Sequence, residues 1–309
     1  MPMASIGFTP SAHRPAWFWL LAAFVFSLSA CGDRAETDPS PTYPEASPLL
    51  YEISSEGGVV EGWMFGTIHA LPEGVEWRTA EIDRVIDEAD VLMVEVASLG
   101  QSDDVRQAFL ELSRSPGLPP VNERVSLEIR PDLEAMVARS GLSRAHLRAS
   151  EDWAAAIMLS QVDAPGDPEL GVDRVLIAQF NGRKVKGFET AREQLGIFDQ
   201  LSPSVQRTLL EETVRDWASS RGERKRLITA WLSGDVPQLE EVTTSGIMDD
   251  PELRAALLTN RNDNWIAPIT QALEKEPLPL IAVGTAHLIG AQGLAAQVQE
   301  HGYTVRRVQ

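Results

Sequence analysis

Residues 66–69 read Gly66-Thr67-Ile68-His69 and residues 284–287 read Gly284-Thr285-Ala286-His287, each behind an apolar run, Trp63-Met64-Phe65 in one case and Leu280-Ile281-Ala282-Val283 in the other. The two copies stand 218 positions apart (284 − 66 = 218). A glycine that closes a strand lets the backbone turn away tightly. The residues after it then project at the strand's carboxyl end, where ligands gather in an open α/β sheet. If the two strands are sheet neighbours, the two imidazoles converge, and the first and last parts of the chain must meet.

The spacing predicts strands over residues 49–53 and 59–65 joined by the glycine turn Ser54-Ser55-Glu56-Gly57-Gly58, which invites a hairpin. A helix over 78–90 places Ile82, Val85, Ile86 and Ala89 on one face, and 91–96 (Val91-Leu92-Met93-Val94-Glu95-Val96) follows as a buried strand. A helical middle comes next, broken by the prolines of 115–120. Helices are expected over 131–142, 153–162 and 171–180, and a strand over 183–189. Four more helical segments, 189–201, 204–219, 222–235 and 251–275, precede a strand at 278–284, a helix over 293–302 and a last strand at 303–308. Strands alternating with helices at both ends define the α/β class, with a mixed or mostly parallel sheet. The βα units at the two ends build that core, around a large helical insertion at about 101–275.

The chain has 309 residues, 43% of them hydrophobic, enough for a sizeable core. A net charge of -18 without a basic block repels phosphate backbones and argues against nucleic acid as a partner. Residues 16–30 form an apolar run ending in small residues, an export signal rather than a fold element. Leu28-Ser29-Ala30-Cys31 resembles the bacterial lipobox, so 1–30 is expected to be cleaved and Cys31 acylated. This implies an envelope lipoprotein held on the bacterial membrane, and Gly32 after the cysteine favours the outer membrane, facing the periplasm. Cys31 is the single cysteine, which excludes an internal disulfide and a multi-thiolate metal site. Residues 31–48, rich in proline, serine and acids, are expected to be a disordered tether, with the folded domain spanning 49–309.

Glu95 lies among valine, leucine and methionine, where a carboxylate is costly unless a cation, a donor or a metal meets it. With His69 and His287 it makes a candidate site for a divalent ion, zinc, manganese, iron or cobalt, with positions left for water and substrate. The plainer possibility is a pair of satisfied strand-end histidines and a salt-bridged acid. Glu189 is a further candidate ligand or a helix-start acid. Asp173, Arg261 and Asn262 are candidates to anchor an anionic or carbonyl group of a substrate. His146 and His301 carry no such context, and the eight tryptophans are expected to pack the core.

These residues resemble the TraB/GumN family, which includes the TIKI ectodomain proteases and is related in architecture to erythromycin esterase-like enzymes. The resemblance runs from Leu49 to the C-terminus. It rests on the two G-x-x-H motifs, Glu95, the G-V-D ending at Asp173, the run from Phe188-Glu189-Thr190 to Glu193-Gln194-Leu195, and Arg261, Asn262 and Trp265. Phe188 departs from the family, whose members often carry leucine there. The resemblance implies a metal-dependent hydrolase of peptide or protein substrates, with His69, Glu95 and His287 at the core and Arg261 as an oxyanion or substrate clamp. Glu95 is either a ligand or the general base. Two other functions fit the same residues: a module that binds a peptide or envelope component without turnover, and a metal-independent esterase-like hydrolase in which His69 is the base.

Overall fold

The computed structural model describes residues 43–309 apart from 101, 165, 220–222 and 243. The expected export signal, the acylated Cys31 and the first part of the tether lie outside the described residues. Six strands form one sheet: β1 (Leu50–Ser54), β2 (Val60–Thr67), β3 (Val91–Val96), β4 (Lys184–Glu189), β5 (Pro279–Gly284) and β6 (Thr304–Arg307). Their order across the sheet is β4-β3-β5-β2-β1-β6. β4, β3, β5 and β2 run parallel, while β1 pairs antiparallel with both β2 and β6. The fold is therefore α/β with a mostly parallel sheet.

The strand sequences explain the order. β3 and β5 are buried at every position, as continuous apolar strands covered on both faces must be. β1 and β6 are short and partly exposed, and they close one edge as an antiparallel pair. The helix Ala80–Glu88 buries Ile82, Val85 and Ile86 and begins at Thr79, whose hydroxyl accepts the Ile82 N–H. Because four neighbouring strands are parallel, their carboxyl ends share one rim. Thr67 of β2 stands beside Gly284 of β5, and Val96 of β3 beside Glu189 of β4.

The strand expected over 183–189 within the insertion is β4, so the insertion itself supplies one edge of the sheet. Two details depart from the sequence reading. The stretch read as one helix over 251–275 is three pieces: an α-helical turn at Pro251–Arg254, a π-helical turn at Ala255–Thr259 and an α-helix at Asn260–Lys275. A π turn holds an extra residue and commonly marks a functional site. It delivers Arg261, Asn262 and Trp265 together into the core. Residues 43–48, expected as the end of a solvated tether, instead lie against the domain: Tyr43 and Ala46 pack on the core and the Ser47 N–H donates to the Leu232 carbonyl at 2.6 Å. Among the described residues, no helix is long and apolar enough to cross a membrane.

Candidate functional site

The duplicated G-T-x-H segments interlock across β2 and β5. A Cβ on Gly66 would stand 2.7 Å from the Thr285 hydroxyl oxygen, so Gly66 is what lets Thr285 approach. The Thr285 hydroxyl then donates to the Thr67 carbonyl at 3.0 Å. A Cβ on Gly284 would lie 3.1 Å from Glu95 Oε1 and 3.3 Å from His69 Nε2. Each glycine thus makes room for groups brought by the neighbouring strands.

His69 is fixed from behind by the G-V-D segment. A Cβ on Gly171 would fall 2.1 Å from the His69 carbonyl oxygen, while the Val172 N–H donates to the Ile68 carbonyl at 2.9 Å. This close backbone contact seats the helix Val172–Gln179 so that Asp173 meets His69 Nδ1 at 2.6 Å and accepts the Thr67 hydroxyl. Gly171→Ala is expected to cost roughly 2 kcal/mol, the usual range for overpacking, and to loosen Asp173 from His69. Chemical unfolding checks it, and an unchanged midpoint would contradict that packing.

His287 is fixed with equal definition. The Asn262 amide nitrogen donates to the carbonyls of His287 (3.2 Å) and Gln292 (2.9 Å), which leaves the Asn262 oxygen facing His287 Nδ1 at 2.7 Å. An oxygen there demands a proton on Nδ1, so Nε2 carries the lone pair. Both imidazoles consequently turn Nε2 toward one oxygen, Glu95 Oε1, at 4.0 Å from His69 and 3.8 Å from His287.

Glu95 is held by the Gly284 N–H (2.9 Å), Gln194 Nε2 (3.1 Å) and Arg261 Nη2 (2.6 Å). Arg261 also donates from Nε and Nη2 to Glu189 at 2.9 and 3.0 Å, and from Nη1 to the Leu257 carbonyl (3.2 Å) and His287 Nε2 (3.1 Å). These contacts engage all five of its N–H groups. Trp265 stacks near the His287 ring at 4.5 Å between centroids and donates its indole N–H to Glu189 at 3.1 Å.

The electrostatics are asymmetric. Burial pulls His69 down, but the charge and hydrogen bond of Asp173, joined by Glu95, outweigh it and raise the imidazole to about 9. Burial pushes His287 down to about 3 against the upward pull of Glu95, and the charges of Arg261 and His69 add to the lowering. Burial alone would raise Glu95, yet Arg261, the two histidines and the Gly284 N–H hold it well below the usual carboxylate range. With both imidazoles neutral, Glu95, Glu189 and Asp173 face one guanidinium, a formal excess of two negative charges. A proton on His69 offsets one of them.

The structure brings His69, Glu95, His287, Arg261 and Glu189 into one cluster. Glu189 sits on Arg261 and Trp265 with both oxygens engaged. Asp173 and Asn262, expected to meet substrate, are buried behind the imidazoles: Asp173 bonds His69 Nδ1 and the Thr67 hydroxyl, and Asn262 bonds His287 Nδ1 and the His287 and Gln292 carbonyls. Arg261, expected as a substrate clamp, is 3% exposed and bridges acids. Sequence reasoning missed Gln194 on Glu95, although its place one residue before the buried Leu195 on a helix that starts at the strand end was a usable signal. Trp265 is buried as the tryptophans were expected to be, but it packs at the site.

His69 Nε2, His287 Nε2 and Glu95 Oε1 are of the donor types a divalent cation takes, and they border the space that a Cβ on Gly284 would fill, but Arg261 already donates to His287 Nε2 and to Glu95. Donors sharing a zinc at about 2.1 Å stand roughly 3.4 Å apart. The separations of 3.8–4.0 Å are wider, and among the described residues no three such side chains stand in coordinating geometry. Arg261 supplies positive charge at the same place, through His287 Nε2 and Glu95 Oε2.

The chain is an α/β protein whose parallel strand ends gather buried imidazoles and acids about one glycine-lined space, at the rim where such sheets commonly bind ligands. The chain belongs to the TraB/PrgY/gumN family, whose model matches residues 49–307. Neither a curated protein nor a solved structure gives a significant match.

Proposed function

We propose that the protein is a metal-dependent hydrolase of peptide bonds, exported and held on the bacterial envelope through an acylated Cys31. The observation that carries the reading is the locking of both imidazoles, by Asp173 and Asn262, so that each Nε2 faces Glu95 Oε1. His69, His287 and Glu95 would hold a manganese, cobalt or zinc ion. When bound, such an ion lowers the pKa of its water toward neutrality and polarises a carbonyl. Glu95 serves either as a ligand or as the base toward a water in that space, and the strong lowering that Arg261 and the Gly284 N–H impose on it suits a ligand better than a base, which works best near the operating pH. Asp173 and Asn262 keep the histidine tautomers, and Arg261 compensates the acids. The apolar run over 16–30 with Leu28-Ser29-Ala30-Cys31 behind it supports the anchor, and the mass of the mature N-terminus checks that part.

One observation favours a second reading, a metal-independent hydrolase with His69 as base: Arg261 already satisfies Glu95 and His287. Metal analysis and a peptide-library assay under chelation separate the two. Cleavage lost with chelator, restored by added manganese, cobalt or zinc, and abolished in His69→Ala and His287→Ala supports the first. Turnover that persists without metal supports the second. Saturable peptide binding with no product would overturn both in favour of a binding module.

A further inference from the structure

A cavity of about 570 Å³ opens beside the cluster, and Glu189, Arg261 and Trp265 are among the residues that line it. Of these, Arg261 touches Glu95 and His287 and Trp265 packs on His287, so a group in contact with them lies one side chain away from the candidate reaction site. Its volume falls within the range that holds a small ligand or a long side chain, roughly 300–1,000 Å³. The walls are of two kinds. Phe188, Ile197 and Leu201 supply apolar surface, and the Phe188 and Trp265 rings stack at 5.0 Å to make one aromatic side. Glu193 and Glu252 supply charge.

Those two acids are fixed by neutral donors. The Thr190 N–H and hydroxyl hold Glu193 as part of a capping box, and the Ser202 N–H and hydroxyl hold Glu252. Arg261 is the cation of the lining, and it is engaged with Glu189 and Glu95. The lining thus carries three carboxylates and one guanidinium, and that guanidinium is already paired. A lining that combines two such carboxylates with apolar and aromatic side chains matches a cation carried on an aliphatic stem, because the stem packs on apolar surface while the head meets carboxylate oxygens or an aromatic ring.

We propose that this cavity is the specificity subsite for a basic side chain, lysine or arginine, of the substrate. The substrate class is accordingly a peptide with a basic residue next to the bond that reacts. The assignment rests on the hydrolase reading for the word substrate, but the subsite itself is a binding claim and is tested without turnover.

The probes are N-acetyl-lysine amide and its uncharged counterpart N-acetyl-norleucine amide, titrated by calorimetry or NMR into the mature chain and into Glu193→Gln/Glu252→Gln. Glutamine keeps one accepting oxygen, enough for both Thr190 donors, which share Glu193 Oε2, and for one of the two Ser202 donors, which use separate oxygens of Glu252, so the variant removes charge and keeps most of the local hydrogen bonds. A matching melting temperature confirms that it folds. The lysine probe is expected to bind at least tenfold tighter than norleucine to the wild-type chain, and the variant is expected to lose that preference. Equal binding of the two probes, or a preference that survives in the variant, overturns the subsite. If the hydrolase reading holds, peptides with lysine or arginine at one position are cut about tenfold faster than norleucine peptides, and the double variant levels the rates. A lysine preference in binding with no cleavage of any peptide would sink the hydrolase reading and leave the subsite standing.

Discussion

Arg261→Met is expected to destabilise the metal-free protein by about 3–5 kcal/mol, the cost of stranding buried charges when one partner of an ion pair is removed. The side chains concerned are almost closed to solvent: 4% exposed for Arg261, 9% for Glu95 and 12% for Glu189. Methionine fills much of the volume but leaves two carboxylates facing each other and His287 Nε2 without its donor. Urea unfolding in the presence of chelator measures the loss. Adding Glu95→Gln to that variant removes one stranded acid, so the double variant is expected to recover part of the stability. The same variant tests the metal reading. Without a guanidinium at 3.1 Å from His287 Nε2, an added divalent cation should raise the midpoint more than in the wild-type chain. Saturation at 100 times Kd would contribute about 2.7 kcal/mol. A variant as stable as the wild type would show that Arg261 does not compensate these acids.

The stability of the metal-free protein should be greatest near pH 6.5 and fall on both sides. An exposed histidine in the unfolded chain titrates at about 6.5. Folded His69 is raised to about 9, so from pH 6.5 upward the native state holds a proton the unfolded chain has lost, and stability drains away as pH climbs through 9. Folded His287 is lowered to about 3, so below pH 6.5 the unfolded chain takes up a proton the native state refuses, and stability falls with pH until about 3. Glu95, held below its ordinary range, adds to the loss on the acid side. At about 1.36 kcal/mol per pKa unit, the alkaline arm is worth roughly 3 kcal/mol. Unfolding curves in chelator from pH 5.5 to 9.5 display it. Asp173→Asn removes the charge that raises His69, so it should flatten the alkaline arm. An alkaline arm that persists unchanged in Asp173→Asn would assign the titration to another group.

Both expectations turn on the same fact: the cluster was recognisable in the sequence by its parts and not by its connections. Glu95 announced itself as an acid in an apolar strand, and His69 and His287 announced themselves by the repeated glycine and threonine before them. Asp173, Asn262 and Arg261 were visible as polar residues in suggestive settings, but nothing in a one-dimensional pattern says whether such a group faces a substrate or the back of an imidazole. For Asn262 the answer comes from two backbone carbonyls, those of His287 and Gln292, that lie 25 and 30 positions away. For Arg261 it comes from the extra residue of the π turn at Ala255–Thr259, which periodicity averaged over 251–275 conceals.

Local chemistry was thus legible wherever burial period and turn residues are short-range signals. The hairpin of β1 and β2, the continuous apolar strands β3 and β5, the helix after Thr79 and the α/β class all follow from residues within a few positions of one another. What the tertiary structure alone decided is adjacency. Hydrogen bonds between β2 and β5 set Thr67 beside Gly284, and only then do Gly66 and Gly284 acquire their purpose, as the places where a Cβ would collide with Thr285 or with Glu95 and His69. Long-range pairing of that kind is selected by the packing of whole faces, which no short stretch of the chain encodes by itself.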